Sequence, residues 1–266
     1  MSGISAFDLT GRLALVTGSS QGIGFALAQG LAQAGARIVL NGRSAERLAD
    51  AAGRIGVAAF APRTGPGNAS ESGLGVFDVT DPDAVEAGVA RIEREAGPID
   101  ILVNNAGIQR RRPLEEFSVE TWREVMRTNL DGVFFTGQAV ARRMIPRKRG
   151  KIINIASLQS EVSRPGIAPY AASKGAVKML TRGMCADWAR HGLQVNAIGP
   201  GYFETELNLP LREDPEFDAW LRRRTPAGRW GRVEELCGAA VFLASGASDF
   251  VNGQILYVDG GVLSVL

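Results

Sequence analysis

The chain has 266 residues, 45% of them apolar, which is enough for one sizeable core. Thirty basic against 28 acidic side chains leave a formal charge of +2, too balanced for a nucleic-acid-binding surface. One histidine and two cysteines, Cys185 and Cys237, with no C-x-x-C spacing, speak against a metal site and a disulfide framework, and so for a reducing compartment.

The N-terminus lacks the basic head and apolar run of a secretory signal, and no uncharged apolar stretch reaches the roughly 18 residues of a membrane span. A soluble, cytoplasmic protein is expected. The apolar run LALVTG at 13–18 predicts a buried strand, and QGIGFALAQGLAQAG a helix, because Ile23, Ala26, Leu27, Leu31 and Ala32 recur at helical spacing. ARIVLNG predicts a second strand and SAERLADAA a second helix. Residues 53–74, rich in glycine and small residues, predict an exposed excursion without regular structure. GVFDVT at 75–80 resumes the strand rhythm, and the helix DPDAVEAGVARIEREAG follows, with Asp81 or Asp83 near its start. IDILVNNAG is a strand, 119–145 one long helix, and GKIINIAS another strand. PYAASKGAVKMLTRGMCADWARHG is a helix ending near Gly192, and LQVNAIGPG a strand running into a loop. The stretch 203–230 is irregular and polar, with room for short helices. VEELCGAAVFLAS is helical and QILYVDGG closes as a strand. Strands alternating with helices, undivided by any linker, predict a single α/β domain around a mainly parallel sheet.

Three places in this pattern carry chemistry. Gly18, Ser20, Gln21, Gly22, Ile23 and Gly24 join the first strand to the first helix. Glycines here let the backbone approach a diphosphate at a helix N-terminus. No Gly-Lys-Ser/Thr follows, so a triphosphate loop is excluded. At the end of the second strand, an NAD-selecting fold presents an acid to the ribose; here the residues are Asn41, Gly42 and Arg43. Arg43 can pair with a 2′-phosphate, so the cofactor is read as NADP, with NAD the alternative. Asp78 and Val79 suit an adenine edge, and Asn105, Ala106 and Gly107 a close cofactor passage. Tyr170 and Lys174 lie four apart, on one face of a helix. A phenol with a reference pKa of about 10 can exchange a proton with a substrate oxygen if a neighbouring ammonium favours its phenolate. Ser157, at the C-terminal end of a strand, can hold that oxygen.

TGSSQGIG, NNAG, Ser157 with YAASK, and PGYFET together resemble the short-chain dehydrogenase/reductase family over nearly the whole chain, about residues 10–262. The resemblance implies a Rossmann fold with a seven-stranded sheet flanked by helices, usually in a homotetramer. It implies Tyr170 as catalytic acid/base, Lys174 as the group that binds the nicotinamide ribose and lowers the tyrosine pKa, and Ser157 as the group orienting the reacting carbonyl. Asn129 matches the asparagine of a water-linked proton relay. Pro200, Gly201, Phe203 and Thr205 match the nicotinamide clamp, with Ile198 or its neighbours facing the ring.

More narrowly, NNAGIQRRRPLEEF, NIASLQSEVSRPGIAPYAASKG and RTPAGRWG resemble the members that interconvert D-gluconate and 5-keto-D-gluconate, typically with NADP. Dehydrogenases of 2-deoxy-D-gluconate and related sugar acids, and 3-oxoacyl-carrier-protein reductases, share the core and stay open as alternatives. A sugar acid needs a cation for its carboxylate and polar partners for its hydroxyls. Arg110, just beyond the NNAG turn, is the expected cation, with Arg164 next in line. Gln159 and Glu161 are the expected hydroxyl partners, and Glu161 could instead pair with Arg164. Arg111 and Arg112 read as exposed, Trp230 as packing for the 203–230 segment, and that segment as a cover over the substrate.

Overall fold

In the computed structural model, which describes residues 3–55 and 75–265, each strand splits its apolar residues between two faces. On β1 (Leu13–Val16), Ala14 and Val16 join one core layer while Leu13 and Leu15 join the other. On β2 (Arg37–Gly42), Ile38 and Leu40 go one way and Val39 the other. Burial on both faces explains why these runs read as continuously apolar rather than alternating. The remaining strands are β3 (Gly75–Val76), β4 (Ile101–Asn104), β5 (Gly150–Ile155), β6 (Leu193–Pro200) and β7 (Ile255–Val258). All pair in parallel, in the order β3-β2-β1-β4-β5-β6-β7. The chain thus reverses direction across the sheet between β1 and β4, and the crevice at their C-terminal ends is where such sheets bind ligands. The expected seven-stranded Rossmann architecture is present.

One layer packs α1 (Gly22–Gln33) and α2 (Ala45–Ile55) through Leu27, Leu31 and Leu48. The other packs α3 (Pro82–Glu95) through Val85 and Val89. Asp81 caps α3, accepting from the backbone of Asp83 and Ala84 at 3.0 and 3.1 Å. Gly53 to Ile55, expected to open an exposed excursion, belong instead to α2; the rest of that stretch, residues 56–74, lies outside the described residues. The strand expected over 75–80 stops at Val76, because the Asp78 carboxylate accepts from Thr80 N at 2.9 Å and turns the chain.

The expected helix 119–145 is interrupted. It consists of α4 (Val119–Met126), a π-helical turn Arg127–Asp131, and α5 (Gly132–Arg147). Asn129 lies in that wider turn and is fully buried. Helix α6 (Ala168–Trp188) carries Tyr170 and Lys174 beneath β5 and β6. The irregular stretch resolves into a 3₁₀ turn Glu206–Asn208, α7 (Leu209–Arg212) and α8 (Pro215–Arg224). Tyr202, Phe217, Trp220 and Trp230 hold it together, with ring centroids 5.2–6.4 Å apart. Trp230 is buried and donates its indole N–H to Asp218 at 2.6 Å. Helix α9 (Cys237–Ala244) returns to pack on α1. No helix among the described residues is long and apolar enough to cross a membrane.

Candidate active site

A cleft of about 1180 Å³ opens along the C-terminal ends of the strands, from Arg43 at one end to Tyr170 and Lys174 at the other. Its floor is the turn between β1 and α1. Gly18 has φ +60°, and a Cβ there would stand 2.8 Å from the Ala106 Cα; at Gly24 one would meet the Asn105 amide at 2.4 Å. The turn is therefore sealed against the β4 end and can exist only with glycine at these positions. Asn105 makes the seal, donating to the carbonyls of Thr17 and Gly18 at 2.9 Å each. Thr17 Oγ1 accepts from the backbone of Asn105 and Ala106 at 2.9 and 3.1 Å. Asn105 was expected to meet the cofactor; its side chain instead holds the loop that would, although the residue lines the cleft. Ser20, Gln21, Gly22, Ile23, Ala106 and Gly107 line it as well.

The far end suits an adenosine ribose bearing a phosphate. Arg43 is exposed on the cleft wall and makes no side-chain bond among the described residues. Arg47, one helical turn on, shares the wall, as do Asp78 and Val79. Its place in the first turn of α2, next to the β2 end, is the sequence signal that would have found it. Asn41 is spent on structure, giving its amide to the carbonyls of Gly75 and Phe77 at 2.7 and 3.1 Å.

At the inner end, α6 and the turn after β5 bring Ser157, Tyr170 and Lys174 together. Ser157 is buried, its Oγ accepting from Gln159 N at 3.1 Å. Burial raises the Tyr170 pKa above its ordinary value, while hydrogen bonding with Ser157 and the charge of Arg111 pull it down. Lys174 donates to the Ile155 carbonyl at 2.6 Å and lies 5.7 Å from the centre of the Tyr170 ring. Burial pushes its pKa down to about 8. The expected lowering of the phenol by this ammonium does not prevail here, because burial acts on both groups and Lys174 is tied to the β5 end. Asn129 donates to Ile108 O at 2.9 Å and to Ser173 Oγ at 3.1 Å, and accepts from Ile108 N at 2.8 Å. Its amide fastens the NNAG loop to α6.

A nicotinamide cofactor fits this lining. Thr205 Oγ1, on the rim of the inner end, is buried without a partner among the described residues, as an acceptor or donor for a carboxamide would be. At Gly201 a Cβ would meet the Asp259 backbone at 2.7 Å, so the clamp loop also requires glycine there. Ile198 is fully buried in the core, which leaves the face toward a ring to its neighbours, and Phe203 is buried with its ring against Gly231. Pro200, Gly201 and Phe203 still line a second, smaller cavity.

That cavity, about 80 Å³, continues from the cleft past Tyr170 and Thr205. It is lined by Ser157, Gln159, Arg164 and Tyr202. Three expectations for the substrate change here. Arg110 is bound edge-on by Glu124, through Nε at 3.1 Å and Nη2 at 2.6 Å, so a carboxylate of the chain already occupies it. Glu161 is exposed and faces Lys178 and the Tyr257 hydroxyl, away from Arg164. Arg111, read as exposed, is half-buried and donates to Gln109 Oε1 at 2.9 Å and Leu207 O at 3.2 Å. Burial lowers its pKa, and the charge of Arg164 lowers it further. Gln159 stays in place, buried on the cavity wall. Replacing Arg110 with Ala should therefore leave the preference for charged over neutral substrates intact, which kcat/KM on a matched acid and amide would measure; a collapsed preference would return Arg110 to the substrate.

A family model described as Enoyl-(Acyl carrier protein) reductase matches residues 18–263. The chain is 62% identical over 262 residues to a gluconate 5-dehydrogenase of Gluconobacter oxydans (strain 621H), covering 98% of both. It is 54% identical over 257 residues to the 5-keto-D-gluconate 5-reductase of Escherichia coli (strain K12), covering 97% of both. The solved structure of a gluconate 5-dehydrogenase from Burkholderia cenocepacia J2315, in complex with NADP and tartrate, is similar with a TM-score of 0.91 at 58% identity over 98% of each chain. Identity at this level, end to end, leaves fold and descent in no doubt: the chain belongs to the short-chain dehydrogenase/reductase family, as a close homologue of its gluconate 5-dehydrogenases.

Proposed function

We propose that this chain is an NADP-dependent oxidoreductase that moves hydride reversibly between D-gluconate and 5-keto-D-gluconate. The observation that carries the reading is the meeting of Ser157, Tyr170 and Lys174 where the cofactor cleft joins a small, cation-bearing cavity. Full-length relatives that act on this pair, and one solved with NADP and tartrate, support it. A cavity of only about 80 Å³ that sets Arg164 and Gln159 among its apolar residues is a poor acyl channel, which weighs against the carrier-protein reductase reading despite the family model's description.

Bound NADP would supply or take up the hydride. Ser157 holds the reacting oxygen through its hydroxyl. Tyr170 gives that oxygen a proton in reduction and removes one in oxidation. Lys174, fixed to Ile155 O, presents its ammonium to the cofactor ribose beside the phenol. Asn129 positions the loop that faces them. Gly18 to Gly24 would receive the diphosphate, Arg43 the 2′-phosphate and Thr205 the carboxamide. The segment 203–230 covers the substrate. We further read the protein as a cytoplasmic homotetramer; Phe250, fully exposed, and Leu256, 39% exposed, at the β7 edge support a subunit contact there.

The test is initial rates with NADP and NAD on D-gluconate, 2-deoxy-D-gluconate, neutral polyols and an oxoacyl thioester. Turnover of the thioester above the sugar acids would overturn the reading. Oxidation should also quicken with rising pH, since it needs the Tyr170 phenolate and burial raises that pKa, while reduction should favour lower pH. Identical pH profiles in the two directions would remove Tyr170 from proton transfer.

A further inference from the structure

Resting on the sugar-acid reading, we propose that the substrate carboxylate is gripped by the Nε–Nη2 edge of Arg164, with Gln159 Oε1 accepting from a neighbouring substrate hydroxyl. Arg164 Nη1 donates to the Pro165 carbonyl at 3.4 Å, whereas Nε and Nη2 are buried and have no partner among the described residues. Those two nitrogens form one flat fork, spaced to meet both oxygens of a carboxylate. Arg110 demonstrates this within the same chain, taking Glu124 through the same two atoms. No carboxylate among the described residues does this for Arg164. Glu161, the nearest acid in sequence, is held by Lys178 and Tyr257.

The surroundings are built rather than incidental. The Phe217 ring of α8 lies 5.1 Å from the guanidinium carbon, fixing the plane of the fork and shielding it from water. Gln159 is only 8% exposed; its amide nitrogen donates to the Tyr202 hydroxyl at 3.3 Å, and Oε1 has no partner among the described residues. Arg111 is held by Gln109 and Leu207, its own Nε buried and likewise without a partner among the described residues. Burial lowers the Arg111 pKa first, and the like charge of Arg164 lowers it further. Two cations in a half-closed site cost free energy that an anion between them would offset. The carboxylate end of a sugar acid would sit in the small cavity while the hydroxyl to be oxidised lies at Ser157 and Tyr170, at the mouth shared with the cleft. Arg164 would then decide which carbon reacts as well as how tightly the acid binds.

The experiment compares D-gluconate with D-gluconamide, the same skeleton without the charge, on wild type, Arg164→Gln and Arg164→Lys, all with NADP. Wild type should favour the acid. Arg164→Gln should raise the gluconate KM at least tenfold, move the amide less than twofold, and leave NADPH binding by fluorescence unchanged. Arg164→Lys should recover only part of the loss, since a point charge lacks the fork. Equal losses on acid and amide would make Arg164 a support for α8 and overturn the proposal, as would an unchanged acid preference. Wild type that oxidises neither compound would instead sink the sugar-acid reading. The subsite would then be judged by calorimetry with tartrate on the enzyme–NADPH complex: binding lost in Arg164→Gln supports it, and binding absent or unaltered ends it.

Discussion

Tyr170→Phe should lower turnover by roughly 10² or more in both directions, the scale expected for losing a positioned acid–base group. The substitution removes one oxygen and keeps the ring, so packing against α6 and the cleft wall is preserved. Cofactor affinity should hardly change, because the diphosphate turn and the Arg43 end of the cleft are remote from the phenol. Among the described residues at this end of the cleft, the two polar neighbours of Tyr170 are already engaged. Ser157 has an ordinary hydroxyl, and Lys174 is bound to Ile155 O at 2.6 Å. The measurements are kcat with saturating cofactor and the NADPH dissociation constant by fluorescence. Retention of more than a tenth of wild-type turnover would show that the proton travels elsewhere. A comparable loss accompanied by weakened NADPH binding would instead point to a disturbed cleft.

The fold was legible because its signals are local. Leu13 to Val16 are apolar at every position since a parallel strand covered on both faces has no polar side, and α1 shows its 3.6-residue period in Ile23, Leu27 and Leu31. The chemistry of Ser157, Tyr170 and Lys174 was legible for the same reason: eighteen residues hold all three. What could not be read is who claims each surface cation. Arg110 and Arg111 are neighbours of identical type, yet Glu124, fourteen positions away, takes the first, while Gln109 and the 206–208 turn draw in the second. Glu161 was equally ambiguous until Tyr257, 96 positions on, was seen to hold it. The π turn at Asn129 left no trace in the helical period either. It exists to deliver one amide to the Ile108 backbone, a contact between elements twenty-one residues apart.

Changing Gly42 to Asp should reverse the cofactor preference, moving the ratio of kcat/KM for NADPH over NADH by about two orders of magnitude. Space is available: a Cβ at Gly42 would meet Leu48 Cδ2 at 3.4 Å, an ordinary contact, and the residue does not need positive φ. Arg43 and Arg47 line this end of the cleft with no side-chain partner among the described residues. A phosphate on the ribose would complete them, at roughly 1.5–3 kcal/mol for each charge-assisted hydrogen bond, or about ten- to a hundredfold in affinity. An aspartate in their midst would pair with the arginines, repel the 2′-phosphate and accept from the free ribose hydroxyls of NADH. Arg43→Ala separates these effects, because it should weaken NADPH while leaving NADH nearly untouched. Dissociation constants for both cofactors, measured by fluorescence without substrate, would keep the result independent of catalysis. If wild type already preferred NADH, or if Gly42→Asp weakened both cofactors alike, the β2 end would be a solvated turn, and the selectivity for the 2′-phosphate would have to come from the cations across the cleft, Arg123 and Arg127.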